Sequence, residues 1–233
     1  MSFVSAYADG YQGRYQPAYA PFSWTGLYVG VDVGGAWGDT KAIDQLATNG
    51  LPWNKLGDTF TAKTDGVTAG GTIGYNWQHS NLVFGFEGDV GYLGARGTGT
   101  SSISSDTHDR SDGGVVVTAR GRLGFAFDRT LVYGTGGYIG ADLRSRVFDN
   151  IGTTLHTSDA GFQSGWTVGG GIEHSFGKNW SGKVEYLYYD LGRDRVGGPC
   201  CGGGTQFFDI ENTGNIVRLG LNYRFQDDYR PLK

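Results

Sequence analysis

The chain has 233 residues and a formal net charge of -4, so it carries no basic footprint for nucleic acid. Glycine occupies 43 positions, aromatic residues make up 14 % and proline occurs 5 times, a composition of strands and turns. No apolar run approaches the ~18 to 20 residues of a spanning helix. No long 3.6-period stripe marks a helix bundle.

The first eight residues, MSFVSAYA, end in Ala6-Tyr7-Ala8 before Asp9. An A-x-A pattern of this kind predicts that residues 1–8 are the remnant of a secretory signal, cleaved between Ala8 and Asp9. Residues 9–23 space Tyr11, Tyr15 and Tyr19 four apart, but Gly10, Gly13, Pro17 and Pro21 interrupt any helix. The N-terminal 1–23 therefore reads as an extended segment, with 24–225 as the folded domain and 226–233 as a short tail.

From Thr25 a period-two pattern begins. It recurs in eight segments, near 25–37, 67–78, 82–94, 115–127, 131–144, 162–176, 181–190 and 215–225. Each reaches the ~9 to 11 residues of a tilted membrane strand. Val67, Ala69, Gly71, Ile73, Tyr75 and Trp77 alternate with Thr68, Gly70, Thr72, Gly74, Asn76 and Gln78. One face of the set is free of charge. It carries Val29, Val31, Phe84, Phe86, Leu123, Leu131, Tyr133, Ile139, Leu143, Val168, Val184 and Leu219 among others. The other face carries Asp32, Glu87, Asp89, Arg120, Arg122, Asp142, Glu173, Lys183, Glu185, Arg218 and Arg224, interleaved with glycines such as Gly30, Gly134 and Gly136.

A charge on a lipid face costs ~2 to 4 kcal/mol at the midplane. The charge-free face is therefore predicted to meet lipid, and the eleven ionisable residues to pair inside a barrel just wide enough to be filled by side chains. Aromatics near the segment ends predict two interface girdles. Trp77, Phe127, Phe176, Trp180, Tyr223 and Phe225 form one; Trp37, Tyr92, Phe162, Trp166 and Tyr188 form the other.

The connections alternate. His79-Ser80-Asn81, Asp128-Arg129-Thr130 and Gly177-Lys178-Asn179 are tight; 38–66, 95–114, 145–161 and 191–214 are long. The expectation is an all-β, eight-stranded antiparallel up-and-down transmembrane barrel with periplasmic turns and termini and four extracellular loops. The first of these loops carries Leu51, Pro52 and Trp53 and leaves room for a short hairpin extension of the strands. Residues 197–204, GGPCCGGG, lack the Gly-Lys-Ser/Thr ending of a phosphate loop and read as a surface loop. Cys200 and Cys201 have no second Cys pair or nearby His, so neither zinc nor another cofactor is expected.

The segments Ser23-Trp24-Thr25-Gly26-Leu27-Tyr28-Val29-Gly30, Gly165-Trp166-Thr167-Val168-Gly169-Gly170-Gly171 and Val217-Arg218-Leu219-Gly220-Leu221-Asn222-Tyr223-Arg224-Phe225 carry a resemblance. With similar middle strands they resemble the small outer-membrane, porin-like surface-antigen barrels of alphaproteobacteria, over about 23–225. The resemblance implies an OmpA-like barrel without catalytic residues. Its implied partners are outer-membrane lipid, lipopolysaccharide and the barrel-assembly machinery. Such proteins usually end at the last-strand aromatic, whereas eight residues follow Phe225 here.

Four functions are weighed. A structural barrel would support the envelope and present its loops, with self-association or envelope contacts through the loops or N-terminal segment. A narrow porin-like channel would use the lumen charges. An enzyme would need His156-Thr157-Ser158 or Asp106-Thr107-His108-Asp109, whose Ser/Thr/Asp-rich surroundings supply such neighbours by chance. A soluble lipocalin-like carrier would expose the aromatic face to water and aggregate. The structural reading is preferred, with the channel as its alternative.

Overall fold

The computed structural model describes residues 22–46, 50, 59–100, 107–142, 144–149, 154–158, 162–200 and 204–225. Residues 1–8, expected above to be a signal-peptide remnant, the tyrosine-bearing residues 9–21, Leu51, Pro52, Trp53, Asp106, Leu143, Cys201 and the residues after Phe225 lie outside these residues. So does the side chain of Cys200.

Ten strands follow in order: β1 (Gly26–Asp44), β2 (Thr59–His79), β3 (Leu82–Thr100), β4 (Thr107–Phe127), β5 (Thr130–Asp142), β6 (Arg144–Asp149), β7 (Thr154–Ser158), β8 (Phe162–Ser175), β9 (Trp180–Cys200) and β10 (Gly204–Phe225). They make eight staves. β6 continues β5 along β4, and β7 pairs with β6 as β8 pairs with β5. Every neighbour is antiparallel, and β1 closes the ring by pairing with β10 from Leu27↔Phe225 to Asp44↔Phe208. The fold is a closed up-and-down barrel, which leaves no unpaired sheet edge among the described residues between the short turns and the level of Trp37; beyond it β7 pairs with β6 alone.

Two of the short turns bend at left-handed residues, Ser80 (φ 56°) and Asp128 (φ 53°). The long connections are shorter than the sequence pattern marks them, and the first holds the hairpin extension left open above. β1 runs on to Asp44, β2 starts at Thr59, β3 reaches Thr100 and β4 starts at Thr107. Gly204 pairs with Cys200, so residues 197–200 belong to a strand. The four "loops" are largely hairpin extensions of the barrel wall. Outside the membrane both faces of a ribbon are wet. The apolar/polar alternation disappears there while backbone hydrogen bonding continues.

Relative exposure separates the two faces. Val31 (62 %), Val33 (59 %), Ile73 (55 %), Phe86 (67 %), Leu123 (65 %), Ile172 (53 %) and Leu219 (58 %) point outward. Outward apolar residues on β1 run from Leu27 to Trp37. At ~3.3 Å per residue and a tilt of ~35 to 45°, these ten steps span about 25 Å, the height of an outer-membrane apolar band. Charge returns to the outer face immediately above it: Asp65 pairs in register with Trp37, and Lys63 with Asp39.

Both aromatic groups sit at the rims. Tyr75 and Trp77 lie 4.6 Å apart, Trp77 and Phe84 5.5 Å, Phe125 and Phe127 4.9 Å, Trp180 and Tyr223 5.1 Å, and Tyr223 and Phe225 5.2 Å. Phe176 is exposed beside this group. At the opposite rim Trp37, Tyr92, Phe162 and Trp166 are exposed, and Trp166 lies 5.5 Å from Tyr188.

β5 overturns one assignment of faces. Leu131 (0 %), Tyr133 (5 %) and Ile139 (2 %) are inside, while Val132 (45 %) and Tyr138 (43 %) face out. Apolar residues and glycines occupy both faces of LVYGTGGYIG, so alternation alone leaves its phase undetermined. Pairing with β4 fixes it: Arg122 opposes Thr135 inside, and Leu123 opposes Gly134 outside. Gly134 and Gly136 are therefore outward. Asp142 shares their phase, pairs with Phe162, and joins no ion pair among the described residues.

Val31→Arg places a cation at mid-band and is expected to cost about 2 to 4 kcal/mol, whereas Val67→Arg near the rim costs about 0 to 1. Urea unfolding of the refolded protein in lipid vesicles measures both; equal costs would show that the outer face does not lie against hydrocarbon.

Candidate functional site: the filled lumen

The inward face of the staves converges on Glu87. This β3 carboxylate is 3 % exposed and opposes Arg120 of β4 in register. The Arg120 guanidinium pairs with it directly. Lys183 Nζ reaches it from β9 at 3.1 Å, Arg122 Nη1 lies at 3.6 Å and Arg218 Nη2 at 3.6 Å. The Tyr28 hydroxyl donates to Glu87 Oε2 at 2.8 Å and accepts from Arg122 Nη1 at 2.9 Å.

Further pairs extend the cluster. Arg120 also reaches Asp89 at 2.7 Å and Glu185 at 3.2 Å. Arg122 spans the lumen to Glu173 of β8 at 2.8 Å. Arg218 touches Asp32 at 3.3 Å, Asp89 at 3.0 Å, and Glu185, its register partner. Neutral donors complete the acids: Thr72 and Thr118 on Asp89, Ser181 (2.6 Å) and Asn222 (2.9 Å) on Glu173, and Tyr133 (2.9 Å) on Glu185. All eight staves contribute. Such density of pairing is what buried charge requires, because an unpaired ion carries its full desolvation cost.

Glycine makes the room. Tyr28 lies over its cross-strand partner Gly74, Tyr133 over Gly171, and the Lys183 stem over Gly220; an added Cβ at each glycine would run into that neighbour.

Nine of the eleven sequence-selected charges meet here: Asp32, Glu87, Asp89, Arg120, Arg122, Glu173, Lys183, Glu185 and Arg218. Two do not. Asp142 shares the outward phase of β5, as described. Arg224 points inward at 3 % exposure, yet contacts rings instead of carboxylates, 4.5 Å from the Phe22 centroid and 5.0 Å from Trp24. Sequence reading missed Tyr28 and Tyr133. Tyr28 was legible, since it alternates in phase with Gly30 and Asp32. Tyr133 was hidden by the phase of β5.

Two apolar layers bracket the charges. On the side of the long hairpins, Ala36, Leu93, Ile139, Ala141, Leu187, Tyr189, Leu191 and Ile216 pack together, all buried. On the side of the short turns, Trp24 packs with Val83, Ala126, Leu131 and Tyr133, and Phe22 lies against it. The Trp24 amide donates to Gln78 Oε1 at 2.6 Å. Of the two His clusters, His108 lies in β4 and His156 in β7, with β6 between them. Among the described residues no group of three or more His, Cys, Asp or Glu could hold a metal ion.

A closed barrel with a charge-free outer band, rim aromatics and an ion-paired interior defines an integral protein of the bacterial outer membrane. The profile of the outer membrane protein beta-barrel domain family matches residues 15–225, and the chain belongs to that family. It is 35% identical to the 31 kDa outer-membrane immunogenic protein of Brucella melitensis, over 90% of this chain and 88% of that protein. It is 31% identical to the 22 kDa outer membrane protein of Rhizobium leguminosarum bv. viciae, over 87% of this chain and 79% of that protein. Among solved structures, the outer membrane protein OprG of Pseudomonas aeruginosa shares the fold, with a TM-score of 0.54 at 11% identity, covering 86% of this chain and 97% of that one.

Replacing Glu87 by Ala leaves the cations around it without their shared acid and is expected to cost about 3 to 5 kcal/mol. Tyr28→Phe, which removes one hydroxyl from the same acid, costs about 1 to 3 kcal/mol. Asp142→Ala stays within about 0.5 kcal/mol. Denaturant titration of the refolded protein in lipid vesicles ranks the three; a costly Asp142→Ala would contradict its place outside the network.

Proposed function

We propose that this protein is a structural barrel that supports the outer envelope, presents its four hairpins at the cell surface and does not conduct. The observation that supports this is the filling of the lumen in three successive layers: Trp24 with its apolar neighbours, the ion-paired cluster, and the layer around Leu187 and Ile216. Lys183 and Arg122 cross the interior to reach acids on other staves, so the charges bind one another instead of lining a water path. A narrow channel needs charges that exchange their partners for a passing ion. On this reading the short turns and both termini face the periplasm. The hairpins beyond the Trp37 rim then meet lipopolysaccharide and extracellular factors, and self-association or envelope contacts run through those hairpins or the N-terminal arm. The barrel-assembly machinery inserts the chain. The Brucella relatives are named as immunogenic, which suits hairpins exposed in the same way. The protein is read as non-enzymatic, in keeping with relatives named as outer-membrane immunogenic proteins.

In planar bilayers the purified protein is expected to insert and remain silent; discrete, salt-dependent openings in the wild type would replace this reading with the channel. Orientation has its own test. A protease site placed at 201–203, between β9 and β10, should be cut on intact cells, and one placed after Phe225 should survive until the outer membrane is opened. The reverse pattern would invert the barrel.

A further inference from the structure

The short-turn mouth of the barrel holds donors without acceptors. Arg224 is 3 % exposed, and none of its three guanidinium nitrogens has a hydrogen-bond partner among the described residues. Trp24 is 1 % exposed, and its indole Nε1 is likewise unpartnered. The two residues adjoin, with the Arg224 Cζ 5.0 Å from the centroid of the Trp24 ring. Glu173, the acid whose field Arg224 feels, is already engaged by Arg122, Ser181 and Asn222. Buried donors are rarely left unmade, and a guanidinium least of all.

The Phe22 ring covers this spot. It lies 4.5 Å from the Arg224 Cζ and 5.8 Å from that of Arg129, an exposed residue of the β4–β5 turn. Two guanidinium groups therefore converge on the place that one aromatic ring occupies. Residues 22–24 enter the mouth ahead of Gly26, whose φ of +137° is a conformation that side-chain-bearing residues rarely adopt. The cover and the strand meet at that joint.

We propose that Arg224, Arg129 and the Trp24 indole N–H form an oxyanion site at this mouth, taking a phosphate or carboxylate group, with Phe22 as its displaceable cover. The chemistry follows from the donor set. A planar guanidinium matches two oxygens of a carboxylate or phosphate, a second cation adds charge, and the indole adds a directed donor. Three sources carry that chemistry: free phosphate, the phosphate of a lipid headgroup at the rim, and the Asp227 or Asp228 carboxylate of this chain.

The test is a titration of inorganic phosphate into the full-length protein in a phosphate-free nonionic detergent, read by calorimetry. Phe22→Ala should bind phosphate saturably and more tightly than the wild type. In that background Trp24→Phe should weaken binding about fivefold, and Arg224→Met more than about tenfold. If Arg224→Met does not fold, Arg129→Met and Trp24→Phe carry the comparison. Tighter phosphate binding by an Asp227→Asn/Asp228→Asn variant identifies the tail carboxylate as the resident anion. Loss of phosphate binding on transfer from detergent to phosphatidylglycerol nanodiscs identifies the headgroup. Absence of saturable binding in both Phe22→Ala and the tail variant overturns the site, as does equal affinity in Phe22→Ala with and without a folded Arg224→Met.

Discussion

A strand inside a bilayer has no water to satisfy its backbone, so every N–H and C=O must find another strand. The ring closed by β1 and β10 meets this demand, and most of the rest follows from it. Closure with eight staves leaves an interior only wide enough for side chains. Period two then sends half of each stave toward lipid, where charge is excluded, and half toward a space where water is scarce. Each inward residue must be small, apolar or paired.

The barrel uses all three solutions, at different heights. Glycines accept the rings of Tyr28 and Tyr133 and the stem of Lys183. Leucine, isoleucine and alanine fill the level above, and Trp24 with Val83 and Leu131 the level below. Between them five carboxylates, Asp32, Glu87, Asp89, Glu173 and Glu185, meet four cations, Arg120, Arg122, Lys183 and Arg218. Arg224 is a fifth cation at the edge of this level, so these ten groups balance in formal charge while one guanidinium lacks a direct partner among the described residues. A buried ion cluster is weak evidence for stability by itself. Its contribution here is to tie opposite walls together at fixed positions, as Arg122 ties β4 to β8 and Lys183 ties β9 to β3.

Most of this was legible in the sequence, because a membrane strand advertises its two faces. The alternation on β2, the charge-free series from Leu27 to Trp37 and the rim aromatics all reflect solvation, which acts residue by residue. What was hidden depends on pairing. The phase of β5 is set by register with β4, since Leu131, Val132, Tyr133 and Gly134 leave both faces plausible to lipid; Asp142 was misplaced for that reason. The strand ends beyond Trp37 and Val67 were hidden because water on both sides of a ribbon erases alternation. The choice of partners was hidden as well. Glu173 opposes Lys183 in register, yet Arg122 takes Glu173 and Lys183 turns to Glu87. Proximity along the wall does not decide contacts across a lumen.

The reach of Arg218 bears on how such a barrel comes together. It sits on β10, the last stave, and touches acids contributed by β1, β3 and β9. Until that stave arrives, Asp32 has no ion-pair partner among the described residues, and Asp89 and Glu185 rely on Arg120 alone. The backbone seam it seals joins Leu27 to Phe225, almost the full length of the chain apart, which makes it a slow contact to find. Sealing the wall and neutralising the interior thus happen in one event. An incompletely closed barrel holds unbalanced carboxylates and an open edge together, and both faults disappear at the same step. The final stave acts as a completeness check on the seven before it.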